Sequence, residues 1–321
     1  MDVSKPTAKL TRKTIILPFV GVVAFFLYIL IFNVDLFKVI ETAKTANPVI
    51  YSAAILVGFA EIFFFAVSWR AILSSLKIKI SLMRSFLYTW YGIFLDIVIP
   101  AESITGELCR IYLVNREQAG TSGKCTASLV TQRIIGMGIN VVMLVLGMAF
   151  LFNAVNLSAE IFGIILFFTV GITAIMVILM LISWKEKWSH KIIDSLVRLG
   201  NYITRRKWEV KLEKAKIEIL AAAKSFHDSM KEFGRNPKKL VVPTFLLVLN
   251  WISSLAVPYL VFLSLGINVH WTIILIVSSI VIAVKSIPVG IPFEVGLPEA
   301  TMTSFYFILL GPIIGEGAAA I

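Results

Sequence analysis

The stretch from Ser85 to Val114, SFLYTWYGIFLDIVI followed at once by PAESITGELCRIYLV, decides how this chain must be folded. An apolar run opens as a membrane helix would. Its uninterrupted part, Ser85 to Leu95, is only 11 residues, or about 16 Å of helix at ~1.5 Å per residue. A span needs about 30 Å. Pro100 then removes a backbone donor and biases Ile99 away from helix. Two glutamates and an arginine follow where hydrocarbon is expected. The economical reading is a re-entrant hairpin. One half-helix enters, the chain breaks at PAESIT, and a second half-helix, GELCRIYLVNREQ, returns. Non-helical backbone at such depth is tolerated only inside protein or against a wet cavity.

The rest of the chain supports a membrane setting. Of 321 residues, 58% are hydrophobic and only 15% charged, with a mean hydropathy of +0.90. Soluble domains carry about 25% charged residues. Further apolar runs fall near Thr14–Phe32, Val49–Leu76, Thr126–Phe152, Ser158–Trp184, Val241–Leu265, Trp271–Val284 and from Ala300 onward. All are expected to be helices, because an open sheet edge cannot be satisfied in lipid. The fold class is therefore an all-α, polytopic helix bundle in one transmembrane domain, residues 1–321. The run after the basic start is too long for a signal peptide and reads as an uncleaved first helix.

The net charge of +11 reflects Lys and Arg gathered on one side of a membrane. No basic domain stands apart, so nucleic acid is not an expected partner. Cys109 and Cys125 form no ligand spacing, and the three histidines are scattered, so neither metal nor cofactor is expected.

Positive charge sets the orientation. Lys5, Lys9, Arg12 and Lys13 place the N-terminus in the cytoplasm. The second helix then ends inside, against Arg70, Lys77, Lys79 and Arg84. Residues 185–240 hold 15 Lys and Arg against 7 Asp and Glu, so they too belong inside. Leu212, Leu220, Ala223, Phe226, Met230 and Phe233 form one stripe there. This is the pattern of a basic amphipathic insertion lying on anionic inner-leaflet headgroups. The loop after Phe152 lacks positive charge and belongs outside. Parity then requires residues 85–124 to start and end on the same side, as a re-entrant hairpin does.

A second break follows. Pro288, Gly290, Pro292, Gly296 and Pro298 fall within eleven residues and cannot make continuous helix. Pro292–Glu294 echoes Pro100–Glu102. Two interrupted segments entering from opposite sides are what an inverted-repeat transporter shows.

Charges at membrane depth are candidates for function. Glu61, Asp96, Glu102, Glu107, Arg110, Arg133, Lys285, Glu294, Glu299 and Glu316 make up the set. Glu107 and Arg110 share one helical face and could form a structural pair. Arg133 and Lys285 could snorkel to the interfaces. Glu61 and Asp96 are expected to bond neighbouring helices. The functional alternative has Arg110, Arg133 and Lys285 contact phosphate along a polar path, while carboxylates from both breaks meet a cationic or hydroxylated headgroup or relay protons. No nucleophile–base pair accompanies them, so a non-enzymatic role is favoured.

The pattern Pro100, Gly106, Glu107, Arg110, Tyr112 and Leu113 resembles the first signature of the flippase-like transmembrane domain of lysylphosphatidylglycerol synthases and their stand-alone relatives. TASLVTQRIIG, with Arg133, is similar to the family's next helix, although Gln132 replaces the usual acidic residue. Pro292, Gly296 and Glu299 resemble its second signature, with Phe293 and Glu294 where glycines are common. The resemblance implies a cell-membrane protein, without the soluble synthase domain, that translocates a phosphate-bearing or glycosylated lipid. The alternative is a membrane enzyme, or an accessory subunit beside a glycosyltransferase, in lipid modification or lipid-linked glycosylation. Family members usually continue with a helix beyond the second signature, so a final segment is expected to be missing here. The path candidates are Glu102, Glu107, Arg110, Tyr112, Arg133, Lys285, Glu294 and Glu299. The backbone-break candidates are Pro100, Gly106, Pro288, Gly290, Pro292 and Gly296.

Overall fold

The structure, a computed structural model, describes residues 36–98, 104–154, 159–186, 194–195, 198, 209–286 and 297–314. The first apolar run, the break at Pro100 and Glu102, the break carrying Pro288, Gly290, Pro292, Glu294 and Gly296, and Glu316 lie outside the described residues. Every regular element that is described is helical. They are α1 (Leu36–Thr45), α2 (Pro48–Ser75), α3 (Leu82–Val98), α4 (Ile104–Glu117), α5 (Ser122–Ala154), α6 (Ala159–Trp184), α7 (Glu209–Arg235), a 3-10 turn (Pro237–Leu240), α8 (Val241–Ser264), α9 (Trp271–Ser286) and α10 (Leu297–Ile314). Four helical stretches, in α2, α5, α6 and the turn with α8, are long and apolar enough to cross a membrane. The protein is an all-α, polytopic membrane bundle.

Local chemistry fixes the ends of α2. Asn47 caps it, its Oδ1 accepting from the amides of Val49 at 3.0 Å and Ile50 at 3.3 Å, and Pro48 occupies a first-turn position where no donor is needed. The helix stops where Lys77 turns to a φ of 64°. Along its length α2 runs antiparallel to α8. The amide of Asn47 donates to the Ser264 carbonyl at 2.7 Å. Gly58 lies against Val257. Asn250 Nδ2 donates to the Glu61 carbonyl at 3.0 Å, and Ser68 Oγ to the Pro243 carbonyl at 3.1 Å.

Helix α5 is antiparallel to both α2 and α9. Gln132 Nε2 donates to the Phe65 carbonyl at 2.9 Å, and Trp69 Nε1 to Ser128 Oγ at 3.0 Å. On its other side Asn140 Nδ2 donates to the Ser279 carbonyl at 2.9 Å. Gly147 presses on Leu275 and Ile276, and Phe150 meets Trp271 edge to face. These amide side chains tie helix to helix where hydrophobic burial gives little preference between protein and lipid. Met137, Leu144, Ile165, Ile172, Trp251 and Ile276 fill the space between α5, α6, α8 and α9.

On either side of Pro100 the chain forms two short antiparallel helices, α3 and α4. Arg84 pairs with Glu117 at 2.9 Å, Tyr88 donates to the same carboxylate, and Gln118 Nε2 reaches the Lys79 carbonyl at 2.8 Å. At the far end Gly92 abuts Gly106. With 17 and 14 residues, α3 and α4 span about 26 and 21 Å.

Helix α7 departs from the simple picture of a stripe laid on lipid. Its Met230 and Phe233 are buried in protein, against Ile72, Leu76 and Ala127. His227 is buried, with Nδ1 2.8 Å from the Ser183 carbonyl. Gly123 gives the reason: it lets the α7 backbone at Ala222 approach the first turn of α5 closer than any side chain would permit. The apolar residues left on the surface of α7 include Ile217 and Ile219. Lys77, Lys79, Arg84, Arg116, Lys124, Lys185 and Lys231 accordingly gather at one end of the bundle.

Candidate functional site

A cavity of about 410 Å³ opens where α3 and α4 meet α2, α5, α8 and α9. Its size falls within the usual range for small-molecule sites. Its lining is unusual for membrane depth. Arg110, Arg133 and Lys285 face it together with Glu61, Asp96 and Glu107.

Arg110 is the centre of the arrangement. It stands on α4 and is only 8% exposed. Its guanidinium carbon lies 5.5 Å from the Phe65 ring centroid and 5.3 Å from that of Trp69. Aromatic faces stabilise a cation in this position. Ring faces do not accept from the in-plane N–H groups. Nε and Nη1 are buried and have no hydrogen-bond partner among the described residues. Glu107 and Asp96 are its neighbouring carboxylates.

The two glycines of the hairpin make this placement possible. A Cβ on Gly92 would sit 3.2 Å from the Gly106 carbonyl oxygen and 3.5 Å from Arg110 Nε. Gly106 is closer still to Gly92 and to Asp96. Its amide donates to Asp96 Oδ1 at 2.6 Å, so Asp96 is held at the cavity wall by the start of α4.

The carboxylates have different surroundings. Glu107 pairs with Arg133 of α5 at 2.9 Å, both side chains about a quarter exposed. The sequence had suggested Arg110, three residues along the same helix. Packing α4 against α5 turns Glu107 across the interface, and the rings of α2 hold Arg110 apart. Glu61 lines the cavity beside Ser254 and Asn250 of α8 and Lys285 of α9. Asp96 thus bonds the neighbouring helix, and both Glu61 and Asp96 line the cavity. Gln132, where an acidic residue is usual in the family signature, also lines it while donating to the Phe65 carbonyl.

Of the residues singled out from sequence, the structure brings Glu107, Arg110, Arg133 and Lys285 into one cavity. Gly106 supports it from the hairpin contact. Tyr112 is 55% exposed and Glu299 is also exposed; neither belongs to the described lining. Glu102, Glu294, Pro100, Pro288, Gly290, Pro292 and Gly296 lie outside the described residues. Phe65, Trp69, Asn250 and Ser254 were not singled out as site residues. Aromatics and single polar residues within apolar runs carry no signal of which face they occupy. Among the described residues no three metal-ligating side chains gather.

Apolar spanning helices around a charged, half-enclosed cavity define a polytopic membrane protein with an internal polar site. The chain belongs to the family described as the lysylphosphatidylglycerol synthase TM region, whose model matches residues 15–320. It is also similar to a UPF0104 membrane protein of Pyrococcus horikoshii, at 26% identity over 259 residues, covering 79% of this chain and 75% of that protein. No solved structure matches it.

Proposed function

We propose that this protein translocates a lipid with a phosphate-bearing headgroup across the cell membrane, taking the headgroup into the cavity while the acyl chains stay in lipid. The reading rests on Arg110. A buried guanidinium with two nitrogens unpartnered among the described residues is costly unless an anionic oxygen accepts from it. Phosphate oxygens match the guanidinium fork better than any neutral group. Arg133 and Lys285 add charge on the same cavity. The hairpin α3–α4 is the re-entrant element that brings polar groups to this depth, with its open end, the basic end of the bundle and the N-terminus in the cytoplasm. Residues 185–240 rest there near anionic headgroups, the exposed part of α7 towards lipid and its buried part on α2 and α5.

The test is reconstitution into vesicles with a headgroup-labelled anionic phospholipid in one leaflet. Wild-type protein is expected to speed its appearance in the other leaflet, chemically unchanged. Arg110→Met, folded as judged by its heat stability, is expected to be inactive. Equal movement with wild-type, Arg110→Met and empty vesicles would overturn the reading.

A further inference from the structure

Among the described residues the cavity is lined by as many carboxylates as cations. Glu61, Asp96 and Glu107 balance Arg110, Arg133 and Lys285, so the described lining is formally neutral with all six groups ionised. An arriving phosphodiester adds one negative charge in surroundings where unbalanced charge is disfavoured. Neutrality is restored if one carboxylate takes a proton.

The three carboxylates are not equally able to do so. Asp96 accepts from the Gly106 amide and Glu107 from the Arg133 guanidinium. Both partners can only donate, so both favour the ionised acid. Glu61 shares the cavity wall with the Ser254 hydroxyl. A hydroxyl donates to a carboxylate and, after rotating, accepts from a carboxylic acid. Ser254 can therefore serve Glu61 in either state. Lys285 is its nearby cation, and a phosphate in the cavity competes for that charge. The charged groups that face Glu61 across the cavity are Asp96 of α3, Glu107 and Arg110 of α4, Arg133 of α5 and Lys285 of α9. From α8 it meets the neutral Ser254 and Asn250.

We infer that Glu61 takes up a proton when an anionic headgroup binds, making the proton a co-substrate of this site. The inference rests on the anion-site reading above. The balance is simple: the diester enters with one negative charge, the Glu61 carboxylate accepts one proton from solvent to become the acid, and the cavity stays neutral. Release of the headgroup returns both. A proton gradient could then drive the lipid in one direction.

The experiment uses the purified full chain in a weakly buffered neutral detergent with a pH indicator, titrated with dihexanoylphosphatidylglycerol. Uptake of about one proton per bound lipid is expected. Affinity should be constant in acid and fall about tenfold per pH unit between the free-state and bound-state pKa of Glu61, then level off. Glu61→Gln should bind without uptake and without this pH dependence. Glycerophosphoglycerol, the same diester without acyl chains, separates the ligand sources. Equal binding and uptake with it support the proton link and move the ligand from lipid to a free phosphate ester. Wild-type binding with no uptake overturns the inference and leaves the anion site standing; uptake unchanged in Glu61→Gln does the same. No binding at any pH, or binding indifferent to Arg110→Met, overturns both.

Discussion

Gly106→Ala tests whether the hairpin is built as described. The added methyl would lie 2.6 Å from the Gly92 carbonyl oxygen and 2.8 Å from Asp96 Cγ, and nearer still to an Asp96 carboxylate oxygen. Asp96 could swing aside, but the Gly92 carbonyl belongs to α3 and moves only if the helices part. Overpacking of this kind costs about 1–3 kcal/mol. Parting also weakens the Gly106 amide bond to Asp96, whose charged acceptor makes it worth about 1.5–3 kcal/mol. The two losses share one displacement and do not simply add. Against them stands the ordinary gain of about 0.5–1 kcal/mol for replacing a helical glycine by alanine. A net loss of about 2–4 kcal/mol follows from these terms. Gly171→Ala in α6 is the control, because no atom lies within 4 Å of its added methyl; it should be neutral or stabilising. Heat stability of the purified protein in one detergent measures both. Gly106→Ala also displaces Asp96 from the cavity, so binding should weaken even in protein that stays folded. If Gly106→Ala matched Gly171→Ala in stability, the close contact of α3 with α4 would be wrong.

Arg110→Lys keeps the charge and gives up the planar stack on Phe65 and Trp69. Affinity for an anionic lipid should fall on the order of tenfold, read by titration. A double-mutant cycle with Glu107→Gln and Arg133→Gln should give a coupling near 1 kcal/mol, since the pair is partly exposed, with coupling indistinguishable from zero refuting the pairing. Gln132→Ala removes the bond to the Phe65 carbonyl and should cost about 0.6–1.7 kcal/mol of stability. At the basic end Lys239 holds the Glu232 carboxyl below the usual carboxylate range, chiefly through their hydrogen bond. That contact favours the folded state above the ordinary carboxylate pKa and fades as pH falls through the lowered value. Lys239→Ala should therefore be less heat-stable than the parent at neutral pH and indistinguishable from it in strong acid.

The spanning helices were legible because lipid imposes length and apolarity on each segment independently of its neighbours. The four candidate spans lie where runs of some twenty apolar residues had placed them. The two short helices on either side of Pro100 were legible for the same reason: a proline and three acidic or basic residues cannot continue a span. The pairing of their side chains was not. Glu107 and Arg110 are neighbours on one helix in sequence terms, and which one faces α5 depends on the rotation of α4 against α2. Glu61 gave a similar ambiguity, since a lone carboxylate in an apolar run looks alike whether it bonds an adjacent helix or faces a cavity.

The sequence by itself thus determined a helical membrane protein, the positions of its spans and the charged residues held among them. Those follow from local hydrophobicity, proline chemistry and the cost of burying charge, each of which acts within a short stretch of chain. Only the tertiary structure decided that Arg110 lies between two rings of α2, that Glu107 turns to Arg133, and that Glu61 and Lys285 face the same cavity. These relations join residues from α2, α4, α5 and α9, and they arise from packing geometry that no single segment encodes.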